Sequence, residues 1–129
     1  MGSMARRMLL IDDDPEIATY IRTVAEGCGF EVLVTNRAEE FIEAYDNFQP
    51  DAISLDLAIP GMDGIELLRF LADKACAAKI FIASGFGGNI LAAAERLCLA
   101  RGLKMAGVIA KPMRPTDLRQ LFNSVPIEA

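Results

Sequence analysis

The sequence contains no histidine among its 129 residues, which excludes every catalytic device that depends on an imidazole. Cysteine is scarce as well: Cys28, Cys76 and Cys98 are the only three, and none of them forms a CxxC pair. An odd number of widely spaced cysteines predicts buried or half-buried free thiols in a reducing cytosol, rather than a redox pair or a zinc site.

Long uncharged stretches and an excess of basic residues are also missing. Charged residues interrupt every apolar run, so no membrane span is predicted, and the N-terminus lacks the apolar segment and cleavage site of a secretory leader. The net charge of −5 argues against a sequence-independent grip on nucleic acid, which requires a basic face. We therefore expect a cytoplasmic domain that binds neither membranes nor nucleic acid.

What remains is the composition of one globular domain. Hydrophobic residues make up 53% of the chain and charged residues 24%, and 129 residues suffice to bury a core without disulfides or structural metals. Met1, Gly2 and Ser3 precede a second methionine and are interpreted as a cloning remnant, which leaves residues 4–129 as the domain.

Short apolar runs alternate along the chain with segments whose apolar residues recur at helical spacing. The runs predict strands at residues 7–12, 30–35, 51–56, 79–84 and 105–110. The spaced segments predict helices at residues 14–27, 37–48, 64–75, 89–101 and 115–124. Five strands and five helices, without repeats or a linker, indicate an α/β fold with a doubly wound parallel sheet that is covered by helices on both faces.

Polar residues stand where four of these strands end. Ligands of doubly wound sheets bind beyond the carboxyl ends of the strands, so we expect these side chains to share one site. They are Asp12, Asp13, Asp14, Asp56, Ser84 and Lys111. Crowded carboxylates cannot all stay ionised unaided, and oxygen ligands without histidine or cysteine favour Mg²⁺ or Mn²⁺ as the neutralising cation. A lysine charge and a hydroxyl then complete a site suited to a phosphoryl group.

Each of these residues taken singly has a simpler interpretation. The Asp-Asp-Asp-Pro run is compatible with a helix cap and solvated charge, Asp56 with a loop acid, and Lys111 with a surface lysine. Their joint placement at the ends of the predicted strands is what favours the shared site.

Four segments carry a family resemblance. They read Leu-Leu-Ile-Asp-Asp-Asp-Pro from residue 9, Ser-Leu-Asp-Leu-Ala-Ile-Pro-Gly-Met-Asp-Gly from residue 54, Phe-Ile-Ala-Ser-Gly from residue 81 and Val-Ile-Ala-Lys-Pro from residue 108. They resemble the signature blocks of response-regulator receiver domains of two-component signalling, and the similarity runs from about residue 6 to residue 122. The resemblance implies that residues 4–129 form a receiver domain with a flavodoxin-like, five-stranded sheet of order 2-1-3-4-5.

The resemblance also implies roles for the acidic residues. Asp56 would accept the phosphoryl group, and Asp13 and Asp56 would bind Mg²⁺ (or Mn²⁺) directly. Asp12 would help through a water molecule, and the carbonyl of Ala58 would be the backbone ligand.

The hydroxyl and the lysine receive roles by the same resemblance. Ser84 takes the position of the family's switch hydroxyl, and Lys111 would pair with the Asp56 carboxylate and then with the phosphoryl oxygens. A cis peptide bond is expected between Lys111 and Pro112, as is usual in the family.

The chain departs from the family at positions that tune switching and phosphoryl lifetime. Val108 stands where the family usually has tyrosine or phenylalanine, so the aromatic switch cannot operate in its usual form. Ala58 and Phe86 stand where the family tunes lifetime, and neither can orient a water molecule by hydrogen bonding. We therefore expect a long-lived aspartyl phosphate.

The stretch between Ser84 and Lys111 is several residues longer than in common receivers. Residues 89–112 are similar to receivers joined to EAL-type cyclic-di-GMP phosphodiesterase domains, chiefly in the pieces Ala-Glu-Arg-Leu and Gly-Leu. On that similarity, an EAL or other output domain is expected in the full-length protein. The alternative is a longer fourth helix with an alanine-rich packing face.

The expected function is a signalling switch rather than an enzyme. A sensor histidine kinase or phosphotransfer protein would supply the phosphoryl group, and the domain would catalyse only its own phosphorylation and dephosphorylation. The face formed by the fourth helix and fifth strand would then change. One alternative is a haloacid-dehalogenase-type phosphatase, because Asp12-x-Asp14 follows the first strand, although Pro15 comes directly after and no cap insertion is visible. The other is a pseudo-receiver that binds partners without phosphorylation.

Overall fold

A computed structural model describes residues 6–58, 64–85, 89–111 and 113–125 as five strands that alternate with five helices. The strands are β1 (Arg6–Ile11), β2 (Phe30–Thr35), β3 (Ala52–Asp56), β4 (Lys79–Ser84) and β5 (Lys104–Ala110). The helices are α1 (Pro15–Gly27), α2 (Ala38–Phe48), α3 (Gly64–Asp73), α4 (Asn89–Arg101) and α5 (Pro115–Asn123). The predicted α/β class is confirmed. Within the described ranges, no helix combines the length and the apolar character that crossing a bilayer requires.

The five strands form one parallel sheet in the order β2-β1-β3-β4-β5, which confirms the expected flavodoxin-like topology. Ile11 of β1 lies opposite Leu55 of β3, and Leu55 lies opposite Ile82 of β4. Because these three strands run in step, the residues that follow them reach the carboxyl edge of the sheet at one level. Asp12 therefore lies level with Asp56.

The ends of the helices and strands differ from their predicted bounds by no more than two residues. The largest difference is at the end of α3, which stops at Asp73 rather than at residue 75. Ala75 has a φ of 53°, in the left-handed region, and its N–H donates to the carbonyl of Ala72, so the helical path ends before it. At the N-terminal end, β1 begins one residue earlier than predicted, because Arg6 pairs with Phe30 of β2.

The sheet is buried on both faces, because successive residues of each strand point to opposite layers. One layer packs against α2, α3 and α4, and its buried residues include Leu9, Ile53, Leu55, Ile80, Ile82, Phe41, Leu67 and Leu71. The other packs against α1 and α5, and its buried residues include Met8, Leu10, Phe81, Ile109, Ile21, Leu118 and Phe122. Helices cover both faces, so a ligand would reach the sheet at its carboxyl edge, where the polar residues lie.

Helix α1 begins where the acidic run ends, because Asp14 caps it as predicted. The Oδ1 atom of Asp14 accepts hydrogen bonds from the N–H groups of Glu16 (3.0 Å) and Ile17 (3.3 Å), and Pro15 occupies the first turn. The cap fixes the chain directly after the two preceding aspartates, so it helps to hold them at the edge of the sheet.

The three cysteines are free thiols, as the sequence predicts. Cys28 is half-buried, and Cys76 and Cys98 are buried. Burial raises the pKa of the Cys98 thiol, and the carboxylate of Glu95 raises it further. Because the thiolate is the reactive form, a raised pKa makes Cys98 a poor nucleophile.

Gly64, the first residue of α3, occupies a position without room for a side chain. A Cβ atom there would lie 2.7 Å from the Cα of Leu57, and the Gly64 N–H already donates to the Leu57 carbonyl at 3.1 Å. Gly64→Ala is therefore expected to lower the free energy of unfolding by about 2 kcal/mol, because backbone must move to admit the methyl group. Urea denaturation measures the change.

Gly27, the last residue of α1, provides the matched control. Nothing lies within 4 Å of a Cβ atom at that position. Gly27→Ala is expected to leave stability unchanged or to raise it by about 0.5 kcal/mol, because alanine restricts the unfolded chain. Equal losses of stability in the two variants would contradict the steric account of Gly64.

Candidate functional site

Three aspartates meet at the carboxyl edge of the sheet. Asp12 follows β1 and is 2% exposed, Asp56 ends β3 and is 4% exposed, and Asp13 is exposed. A carboxylate oxygen from each of the three lies within 4.8 Å of the others. The parallel register therefore brings together acids that lie more than forty residues apart in the sequence.

Each of the two buried carboxylates is oriented by a backbone N–H two residues further along the chain. Asp12 Oδ1 accepts a hydrogen bond from Asp14 at 2.9 Å, and Asp56 Oδ1 accepts one from Ala58 at 3.0 Å. These local turns fix one oxygen of each carboxylate. The other oxygen, Oδ2 in both residues, is the one that lies beside Lys111.

Lys111 follows β5 and bridges the two buried acids. Its Nζ lies 2.9 Å from Asp12 Oδ2 and 3.2 Å from Asp56 Oδ2, and its side chain is 17% exposed. Its backbone N–H donates to the Ser84 carbonyl at 3.2 Å, which anchors the start of the segment after β5. The predicted partner of the lysine is Asp56 alone, and its contact with Asp12 is an addition to that prediction. One ammonium reaches both acids because they lie level on adjacent strands.

Burial and charge together set the protonation of the site. Burial raises the pKa of Asp56; the Ala58 N–H and Lys111 oppose this, Asp12 reinforces it, and the net shift is upward. Burial alone would lower the pKa of Lys111, but its contacts with Asp12 and Asp56 outweigh burial, so the pKa is raised and the ammonium stays charged. The site thus holds three carboxyl groups and one ammonium, which contacts two of them, and a divalent cation would offset the excess of negative charge.

The site borders a cavity of about 350 Å³ at the carboxyl edge of the sheet. The polar residues that line it are Asp12, Asp13, Asp14, Asp56, Ser84 and Lys111. The rest of the lining consists of Ile17, Leu57, Ala58, Gly85 and Ile90. The structure therefore gathers all six polar strand-end residues at one cavity. The isoleucines are missed by the sequence analysis, and the only signal for Ile17 is its place on the first turn of α1.

The donor atoms suit a hard divalent cation such as Mg²⁺. Carboxylate oxygens dominate the lining, which contains no cysteine among the described residues, and the chain has no histidine. Asp12 Oδ2 is buried and lies 2.9 Å from Lys111 Nζ, so it is already engaged by the ammonium. Asp13 and Asp56 could therefore hold the ion, and Asp12 and Ala58 lie beside them.

Three other predicted positions are not among the described residues of the site. Phe86 and Pro112 lie outside the described residues, so the tuning role of Phe86 and the cis peptide bond before Pro112 stay predictions. Val108 lies on β5 opposite Ile82, is half-buried, and does not line the described part of the cavity. A switching role for Val108 would therefore act through β5 rather than by contact with the site.

Comparison with known proteins gives one consistent family. The family model described as the response regulator receiver domain matches residues 8–123. The chain also superposes on a CheY-like response regulator receiver domain protein from Methanospirillum hungatei JF-1 with a TM-score of 0.80 and 25% identity, covering 93% of this chain and 92% of that one.

Two curated relatives differ in how much of their length the chain spans. The DNA-binding response regulator MtrA of Mycolicibacterium smegmatis is 38% identical over 71 residues, which are 55% of this chain and 31% of that protein. The chain thus spans about a third of the length of the MtrA relatives. The chemotaxis protein CheY of Listeria monocytogenes is 32% identical over 82 residues, which are 63% of this chain and 69% of that protein.

Proposed function

The chain belongs to the response regulator receiver domain family, and we propose that, as the receiver of a two-component regulator, it takes up a phosphoryl group on Asp56. The observation that supports this most is the setting of that carboxylate. Its Oδ1 is held by the Ala58 N–H, its Oδ2 lies 3.2 Å from Lys111 Nζ, and both border the open cavity. A fixed carboxylate beside a fixed cation is the arrangement that attack on phosphorus requires.

The described residues have separate tasks in the proposed reaction. An Asp56 oxygen forms the new bond to phosphorus, and the donor's leaving group departs with the electron pair of the bond that breaks. Lys111 supplies positive charge to the phosphoryl oxygens, and Ser84, which lines the same cavity, supplies a hydroxyl. Mg²⁺ held by Asp13 and Asp56 would add charge neutralisation at those oxygens.

The proposal extends to the partners of the domain. The donor would be a sensor histidine kinase or a phosphotransfer protein in the cytoplasm, and the response would pass to α4 and β5. The similarity of residues 89–112 to receivers joined to EAL domains supports a cyclic-di-GMP phosphodiesterase output, whereas the curated MtrA relatives are DNA-binding regulators. Assays of the full-length gene product for cyclic-di-GMP hydrolysis and for DNA binding distinguish the two outputs.

Mass spectrometry of the chain after incubation with acetyl phosphate and Mg²⁺ tests the proposed acceptor. A stable gain of one phosphoryl group that maps to Asp56 is the expected result. Turnover of acetyl phosphate without an adduct would instead indicate a phosphatase, and neither adduct nor turnover would indicate a pseudo-receiver. The phosphatase is already disfavoured, because Asp14 of the Asp12-x-Asp14 pair serves as the cap of α1.

Asp13→Asn is expected to weaken Mg²⁺ binding by about tenfold or more, equivalent to about 1.4 kcal/mol, because it removes a charged ligand. The Mg²⁺-free variant should be no less stable than the original chain, since one of several crowded charges is gone. Isothermal titration calorimetry measures the affinity. Glu16→Gln is the control, because Glu16 is an exposed acid on the first turn of α1 that lies outside the carboxylate cluster. Equal Mg²⁺ affinities in the two variants would remove Asp13 from the ligand set.

A further inference from the structure

The lysine of the site stands at the start of the short connection between β5 and α5, and hydrogen bonds anchor the described residues of this connection. This β5–α5 segment comprises residues 111–114. At its first residue, the Lys111 N–H donates to the Ser84 carbonyl, and at its last, the Arg114 carbonyl accepts from Leu118 in α5. Between these two points, the carbonyl of Met113 accepts a hydrogen bond of 2.6 Å from the hydroxyl of Tyr20.

An apolar surface pocket of about 480 Å³ lies between α1 and the end of β5, and it is lined by Glu16, Ile17, Tyr20, Ile21, Ile109, Ala110, Lys111 and Met113. Tyr20 and Met113 both pack against the core layer of α1 and α5. The Tyr20 hydroxyl adds to this packing a directional polar contact, which fixes the backbone two residues beyond the lysine.

We propose that Tyr20 is a positioning residue for Lys111: its hydrogen bond to Met113 holds the β5–α5 segment so that the lysine ammonium stays between Asp12 and Asp56. The inference rests on the proposed function, since it assigns Tyr20 to the phosphorylation of Asp56. Tyr20 lies on α1 and is not among the described residues that line the cavity beside the carboxylates. It acts only through the lysine.

The reaction depends on the position of the Lys111 ammonium, which two short contacts define. Lys111 Nζ lies within 3.2 Å of two carboxylates at once, so a small shift of its backbone breaks at least one contact. Displacements of about 1 Å at reacting groups slow catalysed reactions substantially. Removing the Tyr20 hydrogen bond should therefore slow phosphoryl uptake without touching the ligands of the cation.

Tyr20→Phe tests the proposal because it keeps the ring and deletes only the hydroxyl. We expect the rate constant for phosphorylation by acetyl phosphate at saturating Mg²⁺ to fall by about threefold to tenfold, the equivalent of one hydrogen bond. The Mg²⁺ affinity should change by less than about twofold, because no ligand is altered. In a Lys111→Ala background, Tyr20→Phe should cause no further loss, because the residue that it positions is absent.

Thr23→Val is the matched control. It also deletes a hydroxyl from α1, one that donates to the Thr19 carbonyl within the same helix at 2.8 Å. Its rate constant should equal that of the original chain. Equal losses from Tyr20→Phe with and without Lys111, or a loss as large in Thr23→Val, would overturn the proposal.

A second measurement separates this proposal from the proposed function. Hydrogen exchange at the Lys111 amide, which is bonded to the Ser84 carbonyl, should be faster in Tyr20→Phe and unchanged in Thr23→Val. If the original chain took up no phosphoryl group, the proposed function would fail while the exchange rate still decided the role of Tyr20. An unchanged exchange rate at Lys111 in Tyr20→Phe would overturn that role.

Discussion

Asp56→Asn is expected to abolish phosphoryl uptake from acetyl phosphate while making the Mg²⁺-free fold more stable. Asparagine has nearly the same shape, and its side-chain oxygen can still accept the hydrogen bond from the Ala58 N–H, so the local turn persists. An amide oxygen is not a nucleophile for phosphorus, so the loss of uptake should be complete. Mass spectrometry after incubation with acetyl phosphate and Mg²⁺ measures it.

The gain in stability follows from the direction of the pKa shift. Burial raises the pKa of Asp56 in the fold, so an ionised Asp56 opposes folding. Replacing it with a neutral amide should therefore raise the free energy of unfolding near neutral pH. The gain should vanish as the pH falls below the ordinary pKa of aspartate, about 4, because both chains are then neutral at this position. Urea denaturation with a chelator, at both pH values, tests the sign.

Loss of uptake in a more stable protein cannot be attributed to unfolding, which makes the pair of measurements decisive. Asp46→Asn is the control, because Asp46 is an exposed aspartate of α2 that pairs with Lys74 at 3.0 Å and is not among the described residues that line the site cavity. Its phosphoryl uptake should match that of the original chain. Labelling that persists in Asp56→Asn, on Asp12 or Asp13 instead, would refute the assignment of the acceptor.

Where turn residues bound a periodic segment, the sequence predicts the fold well. The bounds of β2, β4 and α4 coincide with the predicted ranges 30–35, 79–84 and 89–101. Gly29 precedes β2 and Gly102 follows α4, and both adopt positive φ angles that favour glycine. The chain direction changes at these glycines, so a local signal is enough to end each segment.

Local sequence signals do not predict features that depend on tertiary packing, such as the buried side of a helix or the register of a strand. The alternative interpretation of the long stretch after Ser84 is a fourth helix with an alanine-rich packing face, yet the apolar residues of α4 surround the helix and do not reveal which side is buried. In the structure Ala94 and Cys98 are buried, whereas Leu99 is 84% exposed. The register shift that places Gly107 rather than Ala106 opposite Phe81 is likewise set by pairing between strands.

The candidate site could likewise be predicted from the sequence only in part. Convergence of the strand-end residues could be predicted, because topology alone carries them to one edge of the sheet. The bridge from Lys111 to Asp12 could not, because it depends on which oxygen of each carboxylate is already held by a backbone N–H. The tie from Tyr20 to Met113 joins residues 93 positions apart, and no periodicity in the sequence encodes it.

Arg6 forms a second set of long-range hydrogen bonds that the sequence does not reveal. Its loss should destabilise the fold strongly. It opens β1 and is buried, and its guanidinium donates to the carbonyls of Phe122 (3.3 Å), Val125 (2.6 Å) and Cys28. Its Cζ also lies 4.3 Å from the centroid of the Phe30 ring. These carbonyls lie at the C-terminal ends of α1 and α5, where unpaired C=O groups and the helix dipole favour a cation.

Arg6→Met is expected to lower the free energy of unfolding by about 3 kcal/mol and the melting temperature by roughly 10 °C. Methionine keeps much of the apolar stem but removes the guanidinium from all three carbonyls, of which that of Phe122 still accepts from the Val125 N–H at 3.2 Å. Arg6→Lys should recover only part of the loss, because a single ammonium cannot replace a planar guanidinium with five N–H donors. Urea and thermal denaturation of the two variants measure the effect.

Arg7→Met is the control, one residue further along the same strand. The Arg7 side chain is 42% exposed, its ion pair with Glu31 spans 3.7 Å, and it donates to a single carbonyl, that of Phe48, at 3.1 Å. Because water can replace these contacts, its loss should cost less than about 1 kcal/mol. Both substitutions remove one positive charge from the start of β1. A larger loss of unfolding free energy in Arg6→Met therefore reflects the burial of Arg6 and the number of carbonyls to which it donates. Equal losses would mean that water can hydrogen-bond to the carbonyls at the two helix ends as well as Arg6 does.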